Sequence, residues 1–278
     1  MAVLLALLAS LAYGVGDFCG GFASRRAPAL QVLLLGGPVG TVLLLAAALA
    51  VGGDVLAGAL SGLLAGLAGA VGVIVFYRGL AVGTMSVIAP ITALTSAAVP
   101  LAVGLFQGER PGVLGAVGVV VALVALVLVG LEPRRPDAPR GRGLGAGVGL
   151  ALLAGAGFGL FFVGLDQSPD DTGLWPVVWG RVATVAVVVA AALQGKVFGL
   201  PRGRTALIAL ASGVLDATAN VGVLLTVRAG DLSTGSVLIS LYPAATLVLA
   251  RFVLGERLGP VQRLGLGVAV LGVVLISI

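Results

Sequence analysis

Apolar stretches of nearly constant length alternate along the chain with short polar breaks. A bilayer core takes about 20 apolar residues per helix. Breaks at charges and at Gly/Pro clusters therefore predict spans near 2–23, 30–51, 56–77, 85–106 and 113–131. A polar joint with three prolines, "EPRRPDAPRGR", occupies 132–142. Beyond it, spans fall near 143–165, 174–195, 205–227, 233–254 and 260–278. The pattern predicts an all-α integral membrane protein of ten transmembrane helices, with connections too short for a soluble domain.

The two sets of five spans are related in sequence. A shift of 147 places Gly83 on Gly230, Ser86 on Ser233, Ala98 on Ala245, Gly118 on Gly265 and Val121-Ala122 on Val268-Ala269. The same shift superposes Gly108-Glu109-Arg110 on Gly255-Glu256-Arg257. A shift of 145 places Leu7, Leu8, Ala9 and Gly14 on Leu152, Leu153, Ala154 and Gly159. A unit with an odd number of spans enters the membrane from opposite faces in its two copies, so the repeat is inverted. Inverted repeats are characteristic of secondary transporters, whose sites lie near the midplane between the halves. The organisation read here is a first repeat over 1–131, a linker over 132–142 and a second repeat over 143–278.

Two stretches carry a family resemblance: "SVIAPITALTSAAVPLAVGLFQGERPG" (86–112) and "STGSVLISLYPAATLVLARFVLGERLGP" (233–260). Each has a small-residue start, an internal proline and a Leu/Phe-rich run ending in Gly-Glu. In these features the chain resembles the drug/metabolite transporter superfamily, EamA type, over nearly its whole length. The resemblance implies two EamA repeats and a central cavity lined by spans 1, 3, 6 and 9. Tyr13, Tyr77, Phe158 and Tyr242 fall in those spans. Gln107 departs from the apolar residue usual before Gly-Glu, and Tyr13-Gly14 stands where Trp-Gly is common. Both departures leave the substrate open.

Composition agrees with a membrane protein: 59% hydrophobic, 10% charged, mean hydropathy +1.20. Soluble domains carry about a quarter charged residues. The first apolar run lacks a basic leader and is followed by Arg25-Arg26, so it reads as a span and not as a signal peptide. The basic residues sit in the gaps between spans and form no single face for nucleic acid. Apart from Arg110, Arg181 and Arg228, every Lys and Arg falls on alternate loops, beginning with the one after span 1. The positive-inside rule then places both termini outside, whereas members of the resembled superfamily are usually described with cytosolic termini. With no histidine and one cysteine, Cys19, neither a disulfide nor a metal or cofactor site is expected. Small-xxx-small pairs recur at Gly16/Gly20, Gly36/Gly40, Gly62/Gly66 and Gly155/Gly159, a pattern that lets membrane helices approach closely. The repeated Gly-Glu-Arg reads as the turn before the last helix of each half, with Pro111 or Pro260 starting that helix.

Ionisable groups inside apolar spans are costly and become functional candidates. Asp17, in "YGVGDFCGG", either pairs with Arg25 or Arg26 or serves as a titrating, cation-binding group in span 1. Small multidrug-resistance relatives carry an acidic residue in their first helix, though the motif around it is not matched here. Asp216, in "ASGVLDATANVG", lies mid-span, with Asn220 four residues on and so on the same helical face. Arg181, in "WPVVWGRVAT", lies inside span 7, and an Arg181–Asp216 pair spares both charges separate burial. Such a pair either locks two helices or opens on binding a substrate or proton. Trp175 and Trp179 are expected in an interfacial belt. Thr92, Thr95, Ser96, Ser240 and Thr246 cluster around Pro90, Pro100 and Pro243, offering hydroxyls to a small polar substrate. The candidate cavity set is Tyr13, Asp17, Tyr77, Ser96, Phe158, Arg181, Asp216, Asn220 and Tyr242.

These features favour a secondary transporter of the cytoplasmic (inner) membrane that works by alternating access. Its expected substrate is a small metabolite, an amino acid or amine-like solute, with protons as candidate coupling ions. No Walker-type glycine motif surrounds Lys196, the only lysine, so ATP is not the expected energy source. A flippase for a lipid or lipid-linked intermediate is the alternative within transport. An integral membrane enzyme is disfavoured by the missing histidine and scattered polar groups, and a structural scaffold by the repeat. Membrane lipids surround the chain, and monomer and homodimer both fit.

Overall fold

The computed structural model describes residues 1–82, 85–131, 144–197, 199–255 and 258–278, and the side chains among them except those at 77, 80–82, 85–87, 89–90 and 144–146. The joint at 132–142, Glu256 and Arg257 of the second tripeptide and the Tyr77 side chain lie outside the described residues. All regular structure among the described residues is helical. The first half holds α1 (Ala2–Ser24), α2 (Ala29–Val51), α3 (Ala59–Val82), α4 (Met85–Phe106) and α5 (Val113–Gly130). The second holds α6 (Leu144–Asp166), α7 (Trp175–Gln194), α8 (Gly203–Ala229), α9 (Leu232–Ile239), α10 (Tyr242–Val253) and α11 (Pro260–Ser277). A short 3-10 turn, Asp170–Thr172, lies between α6 and α7.

Nine segments among the described residues are long and apolar enough to cross a membrane, with α9 and α10 counted as one, Leu232–Val253. The 22-residue α4 supplies the tenth span. The break between α9 and α10 falls at Ser240-Leu241, just before Pro243. Proline has no N–H to continue a helical ladder but is well tolerated in a first turn. Pro260 likewise opens α11, where the Gly259 N–H donates to Gln262 Oε1 at 3.0 Å. Pro111 does not open α5, because that helix begins at Val113 with Gly112 as its N-cap. Gly108 (φ 97°) and Gly255 (φ 68°) end the preceding helices in the left-handed region that favours glycine.

Residue size sorts inside from outside. Alanines such as Ala6, Ala9, Ala65, Ala97, Ala122 and Ala154 are buried, whereas Leu4, Leu8 and Leu11 face outward along one side of α1. In a bilayer, leucine gains nothing by leaving lipid, so small residues take the helix contacts. The halves interleave: the first helix of each packs on the third helix of the other, α1 on α8 and α6 on α3. The second helices follow the same exchange, α2 on α8 and α7 on α3, while α5 pairs with α11. This reciprocity is the two-fold relation of the inverted repeat. Its tightest crossings are Gly66 of α3 on Gly180 of α7 and Gly213 of α8 on Gly36 of α2, where a Cβ on Gly66 or Gly213 would collide with the opposite carbonyl.

Candidate functional site

A cavity of about 210 Å³ lies between the halves. Its wall draws on seven helices, α1, α3, α4, α6, α7, α8 and α10. Of the residues singled out from sequence, Tyr13, Asp17, Ser96, Phe158, Arg181, Asp216, Asn220 and Tyr242 all line it. The Tyr77 side chain lies outside the described residues.

The polar wall is a connected chain of bonds. Arg181 forms an ion pair with Asp216 Oδ2. Asn220, one helical turn on, donates through Nδ2 to the Asp216 carbonyl at 2.6 Å and to its Oδ2 at 3.2 Å. Tyr13 closes the chain from α1, donating its hydroxyl to Asn220 Oδ1 at 3.0 Å. Three helices thus share one network, and Tyr13 also meets Tyr242 with ring centroids 6.1 Å apart. Asp17 lines the same cavity and makes no hydrogen bond or ion pair among the described residues. Arg26 does not reach it; its guanidinium lies 4.7 Å above the Phe22 ring.

The opposite wall is apolar: Val73, Phe158, Phe161, Phe162 and Val177, with Gly69 and Gly180 opening room between them. Exposure falls along the cavity, from Asp17, which is exposed, through Asp216 (38%) and Arg181 (11%) to Phe162 (6%) and Val177 (2%). Asp17 lies toward the C-terminal end of α1, on the side of the basic loops, and Val177 sits in the first turn of α7, on the side of the chain termini. The cavity is therefore open toward the basic face and closed toward the termini. At the closed end Leu165, Leu174, Trp175 and Leu232 merge with the main core, whereas Ala23, Val32 and Ala209 form a small separate cluster at the open end.

Two expectations are corrected. Trp175 is buried in that core and so faces no lipid, whereas Trp179 is half-buried against it and donates Nε1 to the Val55 carbonyl at 2.9 Å. The α6–α7 and α2–α3 loops meet here, as the Asp54 N–H bond to the Asp171 carbonyl (3.0 Å) shows, and this loop contact covers Trp175. Most of the hydroxyls do not face a substrate either. Thr92 bonds the Ala151 carbonyl, Thr95 the Ile91 carbonyl and Thr246 the Gly14 carbonyl; Ser240 is buried outside the cavity lining. Only Ser96 of that group lines the cavity, and its hydroxyl bonds the Ala93 carbonyl at 2.8 Å. A hydroxyl in lipid satisfies itself first on a nearby backbone carbonyl.

Sequence reasoning missed Gly69, Val73, Phe161, Phe162, Val177, Gly180 and Thr184 of the lining. Apolar and small residues in apolar spans carry no local signal. It also missed the role of Glu109, whose carboxylate accepts the backbone N–H groups of Leu232 (2.7 Å) and Ser233 (2.8 Å).

The model of the EamA-like transporter family matches residues 1–131 and again 145–278. No curated protein matches the chain. A solved structure described only as "Crystal structure of protein" shares the fold, with a TM-score of 0.79 over 99% of this chain and 95% of that one, at 18% sequence identity.

Proposed function

Because the chain belongs to the EamA-like transporter family, whose members are membrane transporters of small solutes, we propose that the inter-half cavity carries an amino acid or amine-like solute across the cytoplasmic membrane by alternating access. The observation that carries this reading is the pairing, in one cavity, of the Asp17 carboxylate, unpaired among the described residues, with the Arg181–Asp216 ion pair. Asp17 can receive an ammonium group. Arg181 can receive a carboxylate once Asp216 lets go, because guanidinium and carboxylate match as a two-pronged pair. The rings of Tyr13, Tyr242 and Phe158 offer faces to a cation or to an apolar body. Two carboxylates against one guanidinium favour cationic or zwitterionic solutes over anions. A proton on Asp216 weakens its hold on Arg181, which supplies a route for proton coupling.

Loop charge orients the cycle. With the basic face in the cytosol, the conformation described here is open inward. The test is exchange of labelled amino acids and amines by the purified protein in sealed proteoliposomes. Saturable exchange that Asp17→Asn reduces supports the reading. Movement of lipid headgroups alone would replace it with the flippase, and solute bond cleavage with an enzyme.

A further inference from the structure

The Gly-Glu-Arg turn of the first half has a partner in the second. Glu109 places one carboxylate oxygen on each of the first two N–H groups of α9, at 2.7 and 2.8 Å. Those N–H groups are without acceptors inside their own helix and mark its positive end. The clasp is built tightly: the Glu109 N–H bonds the Gly104 carbonyl at 3.0 Å, and the carboxylate lies so close over Gly104 that no Cβ fits there. It lies at the closed end of the cavity, next to the buried Leu232. The other end of α9, about 12 Å away for eight residues, is the break before Tyr242, a residue of the cavity wall. Between the two ends α9 is one continuous helix, buried almost throughout.

We propose that Glu109 is a positioning residue for transport: its two bonds across the halves hold α9, and through it the Tyr242 wall, in the arrangement that shuts the termini face. This rests on the alternating-access reading above. Two further links between the halves at this face, from Trp179 to the Val55 carbonyl and from the Asp54 N–H to the Asp171 carbonyl, are neutral single bonds, so the carboxylate clasp is the strongest of the three. Opening the cavity toward the termini requires α9 to leave Glu109, and weakening the clasp raises the population of that opened form.

The test places a single reporter at Val73→Cys, in the cavity wall, in a Cys19→Ser background. A membrane-impermeant maleimide is then applied to either face of oriented membrane vesicles. With Glu109 intact, labelling from the basic face is fast and from the termini face slow. Glu109→Gln should raise the termini-face rate roughly tenfold, the lower end for loss of hydrogen bonds to a charged group, and Glu109→Asp should restore part of the difference. A folded, inserted Glu109→Gln protein whose termini-face rate is unchanged overturns the proposal. Should that variant not insert, amide exchange on the otherwise native protein decides: exchange at Leu232 and Ser233 must rise with termini-face labelling, and exchange that stays constant overturns the clasp. Trp179→Phe separates this result from the broader reading. If it exposes Val73→Cys to the termini face and Glu109→Gln does not, the clasp alone falls. If neither variant does so, the clasp falls, and solute exchange in proteoliposomes decides alternating access separately.

Discussion

Arg181 of α7 and Asp216 of α8 form an ion pair at the point where the cavity passes from its open to its closed end. The two partners are unequally buried, at 11% and 38% exposure. That inequality gives a directional expectation. Asp216→Asn strands a guanidinium with little water, at a cost of about 3 kcal/mol. Arg181→Gln leaves a carboxylate that cavity water can reach, at about 1 kcal/mol. Replacing both with apolar residues should recover most of the loss. Thermal unfolding in detergent, run as a double-mutant cycle, measures all three.

The glycine crossings make a prediction about the frame. Gly66→Ala and Gly213→Ala each push a methyl into the backbone of the partner helix and should cost about 1–3 kcal/mol. Gly21→Ala, in α1 with nothing within 4 Å, should be neutral or stabilising by up to about 1 kcal/mol. Equal melting temperatures for the three variants would contradict the crossing geometry.

Tyr13→Phe keeps the ring against Tyr242 and deletes one bond to Asn220. The loss should be about 1 kcal/mol in stability. Because the Tyr13 bond helps fix Asn220 and with it Asp216, the KM for exchanged solute should rise while the maximal rate holds. A fall in maximal rate with unchanged KM would point to a role in the conformational step instead.

Asp216→Asn cannot bind and release a proton, so a pH gradient should no longer drive uptake in proteoliposomes. Exchange between equal solute pools, which needs no net proton movement, should persist. Wild-type uptake driven by the gradient in this variant would remove Asp216 from the coupling path.

Much of the frame was legible because the chain marks its own span ends. Predicted and observed helices agree within a few residues where charges, prolines and glycines interrupt apolar runs, as at 85–106 and Met85–Phe106. Pro243 shows a limit: it sits beside a full break, while α4 passes through Pro100 without one. Arg181, Asp216 and Asn220 were legible because polar groups in apolar spans are few, and helical spacing put two of them on one face. Glu109 was not, since its partners are backbone N–H groups 123 and 124 residues away and the identity of their side chains carries no trace of the bond. The apolar wall was hidden for a simpler reason. Phe161, Phe162 and Val73 look like any lipid-facing residue until tertiary contacts choose a side.

If solute passes through the cavity between the halves, filling that cavity must block it. Val73 and Leu64 lie on the same helix, α3, one in the cavity wall and one 56% exposed on the outer surface. Exchange of labelled amino acids and amines is measured for Val73→Trp and Leu64→Trp in proteoliposomes at matched protein content. Val73→Trp should abolish exchange, and Leu64→Trp should leave it near the wild-type rate. Wild-type exchange in a correctly inserted Val73→Trp protein would contradict this route.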